Sequence, residues 1–306
     1  MTAAIPSKKK SFFTKDLLFY SLMLLFPLAQ FAIFYIGVNG RSFLYAFQKI
    51  DVLSNQVTWT IEPLANAFKQ MLEPTLLRVM GMSFLSFALT YVIGTVLALL
   101  FSYFIYKKLP FGNFFKVMLF LPSILSAIVM VTIYQNFVEI GLPSILNSWF
   151  GSGVKGLIEN PDTRYGAIVF YNIFVSFGTS VLMYSNAMSG LSVEVSEAAK
   201  IDGASAWDEF IHIVLPGIFP TISTFAVTSV ASIFINQMNL FSFFNLTASN
   251  EVQTYGYYLY VQTVNSTSNE AAYPFICAIG LLLTVIAVPL TLLTKWALEK
   301  WGPSED

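Results

Sequence analysis

The chain of 306 residues is 56% hydrophobic and only 11% charged, with a mean hydropathy of +0.68 and a formal net charge of −1. Soluble domains carry about 25% charged residues, so this chain cannot cover its surface with charge in water, and without a long basic patch nothing points to a nucleic-acid partner. The single Cys277 rules out an intrachain disulfide and a multi-cysteine metal site, and the single His212 argues against histidine-based metal or triad chemistry.

A bilayer core of about 30 Å needs about 20 mostly apolar residues in a helix. Six stretches satisfy this, at 17–37, 79–106, 114–138, 166–190, 213–236 and 272–297. The first follows Lys8, Lys9, Lys10 and Lys15. Its apolar run is too long for a signal peptide and no small-residue cleavage site follows, so it reads as a retained helix that leaves the membrane at Gly37–Arg41. In the loop at 38–74, Ile61, Leu64, Ala65 and Phe68 recur at helical spacing with Pro63 near the start. That pattern predicts a short amphipathic helix, or else an interfacial spacer.

Six spans put both termini on one side. That side would hold Lys8, Lys9, Lys10, Lys15, Lys107, Lys108, Lys116, Lys200, Lys295 and Lys300, whereas most of the opposing Arg41, Lys49, Lys69, Arg78, Lys155 and Arg164 lie in longer loops. The positive-inside rule then predicts a cytoplasmic N-terminus (1–16), a cytoplasmic C-terminus (298–306) and a cytoplasmic loop at 191–216.

No Asp, Glu, Lys or Arg lies in the interior of a predicted span, Lys116 and Lys295 standing near span ends; Glu139 sits just past the third. Ion-coupled carriers bury such a residue as their coupling device, so an ion-driven carrier or channel is the lesser alternative. Uncharged Gln135, Asn172, Ser176, Asn236 and Gln237 are the candidate substrate-path residues. Amides both donate to and accept from hydroxyls, which suits a neutral polyhydroxylated ligand, although the same side chains also bridge neighbouring helices. Gly151-Ser152-Gly153-Val154-Lys155 lacks the spacing of a phosphate loop, and neither a Gly-x-Ser-x-Gly elbow nor a His-Glu-x-x-His site occurs. No catalytic residue, metal site or bound cofactor is expected, so work against a gradient needs energy from another chain.

The 191–216 loop is the most informative segment. Ser192 is placed to cap a helix through Glu197, Ala198, Ala199, Lys200 and Ile201, and Gly203 supplies a residue able to take positive φ and turn the chain. Ser205 and Asp208 have the spacing of a second N-cap, followed by Trp207, Phe210, Ile211 and Val214 at helical intervals. Glu194, Glu197, Asp202, Asp208 and Glu209 against Lys200 give an acidic face that anionic lipid would repel, which favours a protein partner.

Glu197-Ala198-Ala199, then Gly203, Ile213, Leu215 and Pro216, resembles at every fixed position the EAA signature of type I, binding-protein-dependent ABC importer permeases. The wording around Asp202-Gly203-Ala204 is similar to the carbohydrate-uptake group of the maltose and multiple-sugar type. Leu121-Pro122, Ser126, Gly141, Asn147 and Gln237 are similar to that group too, and the likeness spans about residues 75–297. Asn236 departs from it, since many relatives carry an acidic residue there. The resemblance implies an all-α, polytopic fold of six transmembrane helices with a permease domain at 75–297. It implies a permease subunit in a bacterial plasma membrane that imports a di- or oligosaccharide by alternating access. A permease for an amino acid or polyamine is the alternative. The implied partners are a second permease, two cytoplasmic ATPase subunits that hold ATP and Mg, and an extracytoplasmic solute-binding protein. Glu197, Ala198, Ala199, Asp202, Gly203, Ile213, Leu215 and Pro216 would form the ATPase-coupling loop.

Overall fold

A computed structural model of the protein describes residues 15–51, 56–151 and 153–303. Lys8, Lys9 and Lys10, with the last three residues of the predicted 298–306 tail, lie outside the described residues. In chain order the elements are α1 (Leu17–Tyr45), a two-stranded antiparallel hairpin β1–β2 (Gln48–Ile50 and Val57–Trp59), α2 (Glu62–Met71), α3 (Pro74–Tyr106) and α4 (Gly112–Ile124). There follow α5 (Ala127–Phe150), α6 (Pro161–Ser189), α7 (Val193–Ile201), α8 (Ala206–Gly217), α9 (Phe219–Ala231), α10 (Leu240–Phe244), α11 (Tyr255–Asn265) and α12 (Tyr273–Trp301). Among the described residues five helices (α1, α3, α5, α6 and α12) are long and apolar enough to cross a membrane, or six with the α8–α9 pair, bent by 65°, counted as one broken span.

Lipid is as apolar as Leu, so helices in it associate through close backbone approach and polar contacts rather than through expulsion of water. The centre of this bundle follows that rule. α3 and α4 pack along α6, and α9 and α2 pack along α12. Ser102 of α3 donates a hydrogen bond to the Val181 carbonyl of α6 at 3.1 Å, and the Ser86 and Tyr165 hydroxyls meet at 3.0 Å. Gly178 permits the tightest approach, because a Cβ there would stand 1.8 Å from the Leu119 carbonyl oxygen of α4. α1 buries nothing along its apolar stretch and meets α12 only near its end.

The span boundaries differ from those expected, each for a local reason. The helix α1 does not end at Gly37–Arg41 but runs on to Tyr45. Asn39 and Ser42 each donate to the carbonyl four residues back, at 2.6 and 3.0 Å, so these polar residues need no water to stay helical. The stretch at 114–138 is two helices: Leu125 and Ser126 are extended (ψ 152° and 144°), and the Ser126 side chain accepts from the Val129 N–H. The second of them continues to Phe150. The fifth span ends at Ala231, short of 236.

α2 also differs. It buries Pro63, Ala67 and Met71 while leaving Ile61 and Phe68 exposed (69% and 55%). Of Ile61, Leu64, Ala65 and Phe68, Leu64 alone is partly covered by the core. Small Ala67 lets the helix axis approach α12 more closely than Phe68 could. A Lys49–Glu62 ion pair at 2.8 Å ties the helix to the hairpin.

Candidate functional site

The 191–216 loop folds as a helix, a glycine turn and a second helix. α7 ends in a Schellman motif: Gly203 takes φ +86°, its N–H reaches the Lys200 carbonyl at 3.1 Å, and the Ala204 N–H reaches the Ala199 carbonyl at 2.9 Å. α8 starts with a full capping box, in which Ser205 and Asp208 satisfy each other's backbone N–H groups. The hydroxyl and N–H of Ser205 hold the Asp208 carboxyl below its ordinary range. Ser192, by contrast, does not cap α7 through its side chain; its hydroxyl donates to Glu194 instead and lowers that carboxyl's pKa.

Within this loop the acidic residues divide. Glu197, Asp202 and Asp208 are exposed, as are Ala198 and Gly203, while Ala199, Ile213, Leu215 and Pro216 are half-buried. Apolar Ile201 and Trp207 are also exposed, at 86% and 62%. Glu209 is 2% exposed. It does not belong to the acidic surface on which its charge would be counted. Its carboxylate accepts from Lys107 Nζ at 2.6 Å, from the Tyr103 hydroxyl at 3.3 Å and from the Ser196 hydroxyl. Burial alone would raise the carboxyl pKa; the bonds from Lys107, Ser196 and Tyr103 together with the Lys107 charge outweigh it, and the net shift is downward. Tyr103 also donates to the Ala206 carbonyl at 2.8 Å. One carboxylate thus ties α7 and α8 to the end of α3. Phe210 and Val214 complete the anchor by packing with Ala98, Val181, Tyr184 and Met188.

Between α3, α6 and α9 lies a cavity of about 370 Å³ without a charged side chain in its lining. Ser83, Ser86, Thr90, Thr95, Ser176, Thr179, Ser180, Thr228, Ser229 and Ser232 bring hydroxyls to it, beside Tyr91, Tyr184, Phe87 and Phe225. Many of these hydroxyl protons are committed to the helix itself. Thr90, Ser180, Thr228 and Ser232 each donate to the carbonyl four residues earlier, at 2.6, 3.1, 2.8 and 2.9 Å. Oxygen lone pairs are left over, so the wall accepts hydrogen bonds from whatever enters.

Three of the five candidate substrate-path residues, Asn172, Ser176 and Asn236, line this cavity. Asn172 is occupied: its amide donates to the Ile168 and Met238 carbonyls at 2.8 and 3.0 Å, and its oxygen accepts from Asn239 at 2.8 Å. It fastens the irregular segment 232–239 to α6. Asn236 likewise accepts from the Met238 N–H at 2.8 Å, and its carbonyl accepts from Thr254 at 2.7 Å. Met238 and Asn239 in that segment take φ +52° and +56°. Gly256 of α11 allows that segment to pass close by, since a Cβ there would lie 2.4 Å from the Ile235 carbonyl oxygen. Gln135 lies elsewhere, in a cleft with Asn136, Glu139 and Arg164, and donates to the Phe243 carbonyl at 3.2 Å. Gln237 is not part of the cavity lining. Apart from Ser176, the serine and threonine hydroxyls are what sequence reasoning missed. Their signal was present as four-residue spacing in Ser176/Ser180 and Thr224/Thr228/Ser232.

Long apolar spans, a cavity among them without a charged side chain and a hydrogen-bonded polar loop at one end are the parts of a membrane permease; Glu139, expected just past the third span, lies inside α5 and faces the separate cleft of Gln135. A family model for the binding-protein-dependent transport system inner membrane component matches residues 90–303, and the chain belongs to that family. The multiple sugar-binding transport system permease protein MsmF of Streptococcus mutans is 23% identical over 85% of this chain and 84% of its own length. The arabinooligosaccharides transport system permease protein AraP of Bacillus subtilis is 27% identical, over 66% of this chain and 65% of AraP. The fold is shared with a chain of a bacterial ABC transporter involved in the import of the acidic polysaccharide alginate. That match has a TM-score of 0.77 at 18% identity and covers 94% of this chain and 96% of the other. The chain is therefore a multi-pass transport subunit with the fold of an ABC importer permease.

Proposed function

We propose that this chain is one permease half of an ATP-driven importer of a neutral di- or oligosaccharide. The observation that carries this reading is the cavity between α3, α6 and α9, which is rich in hydroxyls and aromatics and has no charged side chain. Sugar hydroxyls donate to its acceptor-rich wall, and ring faces of Tyr91, Tyr184 and Phe225 cover the apolar faces of a pyranose. An amino acid or polyamine would leave its charge unpaired at such a wall. The names of MsmF and AraP agree with this cargo.

The membrane is a bacterial plasma membrane, with both termini and the 191–216 loop cytoplasmic. A second permease completes the pathway, and an extracytoplasmic binding protein delivers the sugar. Two ATPase subunits hold ATP and Mg and receive the loop: exposed Glu197, Ala198, Asp202 and Gly203 meet the ATPase, beside apolar Ile201 and Trp207. Ile213, Leu215 and Pro216 lead from the loop into the bend between α8 and α9. Transport consists of the shift between inward- and outward-facing states that sugar, binding protein and nucleotide stabilise differently.

The test is uptake by proteoliposomes holding the complex purified through this chain, with neutral oligosaccharides, uronate oligosaccharides, amino acids and polyamines as competing solutes. ATP-dependent uptake of a neutral oligosaccharide is expected. Preference for a charged solute overturns the cargo, and uptake that persists without any ATPase overturns the importer.

A further inference from the structure

The 191–216 loop is joined to the cavity by three routes. Two are covalent: α6, which brings Ser176 and Tyr184 to the cavity wall, leads into the loop, and α8 runs through the bend at Ile218 into α9, which brings Thr228 and Ser232 there. The third crosses space. Glu209 receives Lys107 and Tyr103 from the last turn and end of α3, and α3 brings Thr90 and Thr95 to the opposite part of the same wall. From Thr95 to Tyr103 is about two helical turns, ~12 Å, along one uninterrupted helix.

We infer that the Glu209–Lys107 pair is a positioning latch that makes α3 move with the coupling loop, so that both walls of the cavity shift together when the ATPase moves the loop. Glu209 touches neither sugar nor nucleotide; it acts through α3. Without the latch, α3 would follow the loop through neutral contacts, the Tyr103–Ala206 hydrogen bond and the packing of Phe210 and Val214 against Ala98. The latch is suited to this work because it is buried and closed. Both carboxylate oxygens are used, one by Ser196 and the other by Lys107 and Tyr103. Sliding α3 against the loop would leave a buried carboxylate without its cation, which is far costlier than breaking a neutral contact. The inference rests on the importer reading for its driving force but not on the identity of the cargo.

The test uses the complex of this chain with its own ATPase and binding protein in liposomes. Spin labels are placed at exposed Lys108 and His212 in a Cys277→Ala background, and their separation is measured without nucleotide and with ATP and vanadate. With the pair intact the separation stays constant between the two states. In Glu209→Ala its distribution broadens, and the ATP consumed per solute imported rises several-fold. The double exchange Lys107→Glu with Glu209→Lys restores both readouts toward wild type. Should Glu209→Ala fail to assemble, Glu209→Gln, which keeps the shape and loses the charge, replaces it. A change of about one helical turn (about 5 Å) with the pair intact overturns the latch. So does a wild-type ATP-to-solute ratio in the charge-lacking variant, or a parallel fall in uptake and hydrolysis that leaves the ratio constant. A constant separation in a complex that imports some other solute would sink the sugar assignment alone and leave the latch standing.

Discussion

The loop and the cavity solve opposite problems with the same few polar residue types. In the loop, polar groups are used up on one another: a Schellman turn, a capping box and a buried carboxylate whose two oxygens are both engaged. In the cavity, hydroxyls spend their protons on their own helices and keep acceptor lone pairs free. The loop is thereby stiff and the cavity receptive. A charged, closed network resists displacement, whereas neutral hydroxyls bind a passing solute weakly enough to release it.

The largest effect is expected where both regions share a support. Gly178→Leu drives a side chain into the Leu119 carbonyl, forces α4 off α6 and should cost about 3 kcal/mol or more, read as a loss of thermal stability and of uptake. Glu209→Ala leaves Lys107 without its buried partner and should cost about 3 kcal/mol. The comparison predicts that protease cuts will then appear in the loop while the cavity-forming spans stay protected. Gly203→Ala strains only the turn, since φ +86° is unfavourable for a residue with a Cβ, at about 1–2 kcal/mol. It should lower uptake while leaving solute binding at the cavity unchanged in a fluorescence titration.

Thr228→Val removes one acceptor from the cavity and keeps the shape. Apparent solute affinity should fall about fivefold, equivalent to about 1 kcal/mol, with stability unaffected. A Thr228→Val variant that destabilised the loop would erase the distinction between the two regions. The smallest effect concerns pH. The carboxyl of Glu209 has its pKa lowered from 4.5 in the folded protein. Its contribution is therefore complete above that value and is lost only as pH falls through the lower, folded value. A pH profile of coupling should be flat between about 6 and 8 as far as Glu209 is concerned.

Much of the loop was legible in the chain because its geometry is local. Gly203 and the Ser205/Asp208 pair lie within one or two turns of the groups they satisfy, so spacing alone describes them. Ser192 shows the limit: it sits at a capping position, yet Glu194 two residues away competes for its hydroxyl. Span boundaries were less legible because polar residues such as Asn39 can turn back on their own helix. For the same reason Asn172 reads as a ligand group from sequence and proves occupied in holding the 232–239 segment. Gln135 resembles it in type and in span position, but its helix faces another cleft.

What the chain alone determined was its solvent and its class. Apolar run length needs a membrane, and the spacing from Glu197 to Pro216 describes a helix–turn–helix knob. Tertiary structure alone decided which hydroxyls share a wall and which acidic residue is internal. Glu209 looks like its neighbours in sequence, and only the approach of Lys107, 102 residues earlier, separates it from them. Periodicity reports which face of a helix a residue occupies; the partner of that face is set by packing across the bundle, and the burial of one carboxylate follows from that partner.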